Sequence, residues 1–277
     1  MTNPEIGKTI EAAGRKTNYL EEGAGPAVML LHGSGPGVTA YANWRLTIPD
    51  LACDFRVLAP DAMGFGYTER HKNETFSLDG WVEHTIAFMD ATGVEKAHFV
   101  GNSFGGALTL AIATRYPDRV ARIVLMGSAG LQFDLTEGLD TVWGYEPSPD
   151  NMRKIMMEYF AYDKSLITDD LIQSRYNASI RPGYQESFSA MFPSPRGRHI
   201  SALSTHEEKI AALPHPALII HGREDKVIPL DSSYRLHQLL KHSELHVFGE
   251  CGHWTQIEKK NRFNRQVREF FLEHDYA

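Results

Sequence analysis

Six runs of largely apolar residues, 28–31, 56–59, 97–100, 122–126, 217–220 and 245–248, are too short for helices and too continuous for strands with one wet face. Runs of this kind belong to strands buried on both faces, as in a parallel sheet. Between them the period changes. Trp81, Val82, Thr85, Ile86 and Met89 share one face of a helix that stops at Gly93, and Phe263, Val267, Phe270 and Phe271 repeat at helical spacing near the carboxyl end. Strands alternating with helices predict an α/β protein with a mostly parallel, doubly wound central sheet flanked by helices. Residues 8–12 and 16–20, with Ala13-Gly14-Arg15 between them, read as an antiparallel hairpin on the sheet edge.

The rhythm breaks between about residues 133 and 205. There Asp150 precedes Met152, Ile155, Met156 and Tyr159, and Asp169 precedes Leu171, Ile172, Arg175 and Tyr176, both sets at helical spacing. This predicts an inserted helical lid at 134–206, with the core formed by 1–133 and 207–277. Lying between strand ends, such a lid would exclude water and shape a pocket.

A chain of 277 residues with 42% hydrophobic content can bury a large core. Lys+Arg 28 against Asp+Glu 35 gives a net charge of −7, and no basic run is present to track a phosphate backbone, so nucleic acid is not an expected partner. No apolar stretch approaches the ~20 residues that cross a bilayer, and residues 1–5 do not open a signal peptide. A soluble, cytoplasmic protein without a membrane partner is expected. Cys53 and Cys251 have no metal-ligand spacing and read as reduced thiols, the first at the core edge and the second packed near His253.

The candidate chemistry starts at Gly101-Asn102-Ser103-Phe104-Gly105, which follows one apolar run and precedes a stretch of small residues. That places Ser103 at a strand-to-helix elbow, where a serine nucleophile belongs. Asp225 lies just past the run 217–220 and His253 just past 245–248, so both sit on loops at strand carboxyl ends. Serine, acid, histidine is the chain order of the α/β-hydrolases. A serine hydroxyl needs a base to take its proton; His253 is the candidate base and Asp225 the residue that orients it, with Glu224 its nearest competitor. Two backbone amides, of Ser34 in the loop Gly33-Ser34-Gly35-Pro36-Gly37 and of Phe104 after the nucleophile, are the candidate oxyanion donors. That glycine loop lacks the Gly-Lys-Ser/Thr ending of a nucleotide loop, and His206-Glu207-Glu208 lacks the second histidine of a zinc protease. No metal and no cofactor are expected.

Ser34-Gly35-Pro36-Gly37 followed by Ala42-Asn43-Trp44, the elbow through Gly106, and Gly252-His253-Trp254 resemble the meta-cleavage product hydrolases of bacterial aromatic degradation, a carbon–carbon bond hydrolase branch of the α/β-hydrolases. The likeness runs nearly end to end and is strongest to members of the alkylbenzene (cumene, toluene) and phenol pathways. It favours Asp225, followed by Lys226-Val227-Ile228-Pro229, as the triad acid. It implies substrates of the class 2-hydroxy-6-oxohexa-2,4-dienoate substituted at carbon 6, here by a small alkyl group, split by water into 2-hydroxypenta-2,4-dienoate and a carboxylic acid. By the same resemblance Asn43 and Asn102 lie near the polar end of the dienoate, Gly33 is among the substrate-binding residues, Arg181 of the lid holds the carboxylate, Trp254 lies beside the histidine, and homo-oligomers (dimers or larger) are implied. Ala129, Phe133, Ile200, Val227 and Ile228 are the candidates for the apolar pocket around carbon 6. Two other functions fit the same motifs: a carboxylesterase with this triad, and a hydrolase-like protein that binds a small molecule without turnover.

Overall fold

The computed structural model describes residues 3–273. Eight strands form a single sheet: β1 (Lys8–Ala12), β2 (Arg15–Glu22), β3 (Ala27–Leu31), β4 (Arg56–Pro60), β5 (Ala97–Asn102), β6 (Val120–Met126), β7 (Ala217–Gly222) and β8 (Ser243–Phe248). Their order across the sheet is β1-β2-β4-β3-β5-β6-β7-β8, with β2 antiparallel to both its neighbours and every other pairing parallel. The edge hairpin closes through Ala13 and Gly14, both at positive φ (50° and 72°), and Arg15 already pairs in β2 rather than in the turn. Two successive positive φ values match the twist of the flanking strands.

Each apolar run feeds both faces because alternate side chains of a strand point opposite ways. Met29, Leu31, Phe99, Ile123, Leu125 and Ile219 pack on one side, with Trp81, Val82 and Met89 of the helix Leu78–Ala91. Val28, Leu30, Val100, Val124, Met126, Leu218 and Ile220 pack on the other, against Phe263, Val267, Phe270 and Phe271 of the helix Lys260–Leu272. Burial on both faces is why these strands read as continuous apolar runs.

Between β6 and β7 the chain leaves the sheet and forms helices, among them Glu137–Trp143, Pro149–Lys154, Asp169–Ser179, Tyr184–Met191 and Gly197–Leu203. Ser148 and Thr168 cap two of them, each side chain accepting from a first-turn amide. Pro149–Lys154 runs on into six residues, Ile155–Phe160, wound as a π-helix, a form that recurs at functional sites. The apolar residues Leu139, Val142, Met152 and Met156 of this segment join the core cluster of the sheet's first face.

Candidate active site

Ser103 stands between the end of β5 and the helix Phe104–Arg115, with φ 53° and ψ −113°. Such backbone costs a non-glycine residue about 1–3 kcal/mol and persists only where its surroundings hold it. Here the Ser103 amide donates to Met126 O at 2.9 Å, and Ser103 O accepts from the amides of Gly106 and Ala129 at 2.9 and 3.1 Å. The turn closes only because its glycines carry no Cβ: one on Gly105 would lie 2.1 Å from Leu31 O, and one on Gly101 would lie 2.4 Å from Gly105 O. As the first residue of its helix, Phe104 has an N–H without an intrahelical acceptor, the kind of donor that binds anions at helix N-termini. Ser34 lines the same cavity as Ser103, and its hydroxyl accepts from Trp143 Nε1 at 3.0 Å, a tie from the inserted segment to the glycine loop.

Asp225 and His253 meet behind the elbow. His253 Nδ1 lies 2.7 Å from Asp225 Oδ2. A carboxylate can only accept, so Nδ1–H donates and Nε2 is left as the basic nitrogen. The other Asp225 oxygen, Oδ1, accepts from the amides of Val227 and Ile228 at 2.7 and 3.0 Å. His221 Nε2 stands 3.3 Å from Oδ2. Burial by itself would raise the Asp225 pKa, but His253 and His221 beside it hold the carboxyl well below the usual range. Gly127, at φ 47°, underlies the pair; a Cβ there would lie 3.1 Å from Asp225 Oδ2 and 3.3 Å from His253 Nδ1. The competitor acid, Glu224, points elsewhere, to Arg223 and the Cys251 amide. Ser103 and His253 both line the cavity, and no hydrogen bond joins them among the described residues; catalytic contacts of this type tighten when substrate binds.

The cavity measures about 900 Å³. Of the residues expected from sequence, Gly33, Ser34, Asn43, Asn102, Ser103, Arg181, Val227, His253 and Trp254 line it. Asn102 also braces the elbow, donating to Met126 O at 3.3 Å. Asn43 accepts from the Gly33 amide with Oδ1 at 3.3 Å, and its buried Nδ2 has no partner among the described residues.

Four expected pocket residues need correction. Ala129, Phe133, Ile200 and Ile228 do not line the cavity; they pack in the core cluster or against it. Ala129 and Ile228 act through backbone amides instead, holding Ser103 O and Asp225 Oδ1. Arg181 does line the cavity, but it lies in the loop after the helix Asp169–Ser179 rather than on it, since a residue before proline avoids helical backbone. Its Nη2 is 2.5 Å from Glu5 Oε2, its Nη1 donates to Tyr184 Oη, and its guanidinium sits 4.6 Å from the centroid of the Tyr67 ring. A second guanidinium of the inserted segment, Arg175, stands on the same wall. It shares one face of that helix with Leu171 and Ser174, and all three line the cavity. Arg175 Nη2 pairs with Glu5 Oε1 at 2.6 Å, while its buried Nη1 has no partner among the described residues.

Residues without a sequence signal complete the wall. Phe160, at the end of the π-helix, stacks on His253 with ring centroids 6.0 Å apart, and its carbonyl accepts from the Trp254 amide. Glu258 takes the Gly252 amide with one oxygen and the Tyr162 and Asp163 amides with the other, so it ties the histidine loop to the inserted segment. The helical spacing of Met152 and Met156 marked an apolar stripe, but not that it faced a cavity. Cys251 is buried, and burial pushes its thiol up to about 12, which leaves it a packing residue; Cys53 is exposed rather than at the core edge.

A sheet of this order, carrying a serine at the elbow after β5, an acid after β7 and a histidine after β8, defines an α/β-hydrolase. Residues 26–260 match the model of the alpha/beta hydrolase fold family. The chain is 54% identical over 277 residues, covering 100% of it and 98% of the relative, to the 2-hydroxymuconate semialdehyde hydrolase of Pseudomonas sp. (strain CF600). It is 53% identical over 273 residues, 99% of each chain, to the 2-hydroxy-6-oxo-2,4-heptadienoate hydrolase of Pseudomonas putida (strain F1). The crystal structure of a serine-to-alanine variant of a meta-cleavage product hydrolase from Pseudomonas fluorescens IP01, complexed with acetates, superposes with a TM-score of 0.96 at 61% identity, covering 97% of this chain and 98% of that one. The chain belongs to the α/β-hydrolase family and, within it, to the meta-cleavage product hydrolases.

Proposed function

We propose that this enzyme hydrolyses the bond between carbons 5 and 6 of 2-hydroxy-6-oxohexa-2,4-dienoates with a hydrogen or small alkyl group at carbon 6, releasing 2-hydroxypenta-2,4-dienoate and a carboxylic acid. One observation carries the reading. Arg175 and Arg181 of the inserted segment line the same cavity as Ser103 and His253, beside Asn43 and Asn102. A guanidinium pairs with a carboxylate through charge-assisted hydrogen bonds, so a substrate carrying a carboxylate finds partners on this wall that a neutral ester cannot use.

The chemistry follows from these positions. A dienolate is a poor leaving group, so a proton first goes to carbon 5, giving a keto form whose carbon 6 carbonyl can be attacked. His253 Nε2 takes the proton from Ser103 or from water, Asp225 stabilises the resulting imidazolium, and the amides of Phe104 and Ser34 receive the oxyanion. Cleavage returns the bonding electrons through the conjugated chain to the carbon 2 oxygen, and water supplies the hydroxyl of the acid and the proton that restores the carbon 2 hydroxyl. For the substituent, Val227 with Leu139, Val142, Met152 and Met156 offers an apolar wall. The names of the two Pseudomonas relatives, a semialdehyde and a heptadienoate, correspond to hydrogen and methyl at carbon 6.

In this reading residues 134–206 act as a lid on a core formed by 1–133 and 207–277, supported by the apolar side chains the inserted helices send to the cavity. A cytoplasmic homo-oligomer, dimer or larger, is part of the same proposal; light scattering on the purified protein tests it. No helix among the described residues is long and apolar enough to cross a membrane.

Mixing the enzyme with 2-hydroxymuconate semialdehyde and with 2-hydroxy-6-oxohepta-2,4-dienoate should bleach the dienolate colour and release formate and acetate. Ser103→Ala should slow the bleaching by several orders of magnitude, as triad members act as a unit. Turnover of p-nitrophenyl esters with the dienoates left intact would overturn the proposal.

A further inference from the structure

His221, the penultimate residue of β7, is fully buried and takes no part in the proposed reaction. Both its ring nitrogens are engaged. Nδ1 lies 2.6 Å from Ser233 Oγ, in the first turn of the helix Leu230–Leu239, while Nε2 lies 3.1 Å from Ile228 O and 3.3 Å from Asp225 Oδ2. A carbonyl and a carboxylate can only accept, so Nε2 carries a hydrogen. Ser233 Oγ is buried and has no other hydrogen-bond partner among the described residues, so Nδ1 is the acceptor for its proton. The ring is thereby fixed as the neutral tautomer protonated at Nε2.

This arrangement holds the two oxygens of Asp225 by different means. Oδ1 accepts from the amides of Val227 and Ile228, whereas Oδ2 has no amide and stands between two imidazoles, with His253 Nδ1 at 2.7 Å and His221 Nε2 at 3.3 Å. When His253 takes up a proton it draws on Oδ2, and His221 is the group that holds this oxygen independently of the base. The same ring closes the acid loop. Ile228 gives its carbonyl to His221 and its amide to Asp225, so one imidazole fixes both the carboxylate and the backbone that carries it. In so dry a setting each dipole aimed at the carboxylate counts for more than it would in water.

We infer that His221 is a positioning residue for the proposed triad: oriented by Ser233, its Nε2–H holds Asp225 Oδ2 and the loop to Ile228 so that the carboxylate stays in line with His253 Nδ1 while the base changes charge. The inference rests on Asp225 and His253 acting as acid and base in the proposed reaction.

Two amide replacements separate this role from packing. Glutamine carries its NH2 group out to where Nε2 stands, and asparagine reaches only to the place of Nδ1. Because hydrogen bonds to charged groups are among the stronger ones, His221→Asn should lower kcat on 2-hydroxy-6-oxohepta-2,4-dienoate about 30-fold with KM within about threefold, and His221→Gln should restore kcat to within about fivefold of wild type. In an Asp225→Asn background, His221→Asn should change kcat by less than about twofold, the non-additivity expected of two residues acting as one. Without any substrate, the downfield proton resonance of His253 Nδ1–H should move in His221→Asn and return in His221→Gln. Ser233→Ala, which removes the tether on the ring, should lower kcat about fivefold at unchanged KM, and it gives the reading if His221→Asn fails to fold. Equal losses in the asparagine and glutamine variants, the same loss in the Asp225→Asn background, or unchanged kcat in both His221→Asn and Ser233→Ala would overturn the inference while leaving the triad. Full activity in Asp225→Asn alone would remove the acid, and the inference with it. A wild-type enzyme that left the dienoate intact but showed the resonance shift would refute the proposed substrate and uphold the role of His221.

Discussion

At Asp225 each oxygen has a separate task. Oδ1 is held by two backbone amides and fixes the side chain, while Oδ2 faces His253 Nδ1 and sets which imidazole nitrogen carries the proton. Asp225→Asn keeps the first task and spoils the second, because an amide nitrogen facing Nδ1 favours the wrong tautomer. The variant should stay folded by circular dichroism yet lose about 10³- to 10⁴-fold in kcat on the dienoate; a loss under about tenfold would mean the acid is elsewhere. The candidate triad was legible in the sequence since its members follow strand ends in a diagnostic order. The setting of the lid arginines was not: one buried glutamate, Glu5, holds both Arg175 and Arg181, six positions apart.

Among the elements, the helix Phe104–Arg115 crosses β3 and β5 at the closest approach the backbone allows, and Gly105 is the point of contact with Leu31 O. A methyl group there has backbone to displace, not a flexible side chain. Gly105→Ala is therefore expected to cost about 3 kcal/mol or more, seen as a lower urea midpoint. An unchanged midpoint would show that the elbow relaxes freely. Strand positions came through in the sequence with small errors at their ends, such as Arg15 in β2, since pairing extends past the apolar run. The π-helix Ile155–Phe160 did not, because a 3.6-residue period describes Met152, Ile155, Met156 and Tyr159 equally well with or without one wide turn. That turn brings Phe160 onto His253.

Two histidines far from the cavity tie the whole molecule to pH. His84 is buried against Thr17 Oγ1 at 2.8 Å, and His98 stacks on Phe271 with centroids 4.5 Å apart. Burial lowers each from 6.5 to about 4. The unfolded chain therefore binds protons that the folded one refuses, so this contribution is complete above about 6.5 and is lost as pH falls toward about 4. For His84 the loss is on the order of 3 kcal/mol. Tm should drop between pH 7 and pH 5, and His84→Gln should flatten that slope; a wild-type slope in the variant would place the acid sensitivity elsewhere. By itself the sequence determined the α/β architecture, the inserted helices and the candidate nucleophile, acid and base, because each is written in residues adjacent along the chain. Only the tertiary structure decided that Ile228 and Ala129 serve through their amides, and that Glu5 reaches the inserted segment to hold both of its cavity arginines. Those facts depend on how segments more than a hundred residues apart rotate against each other, and local spacing carries no trace of that rotation.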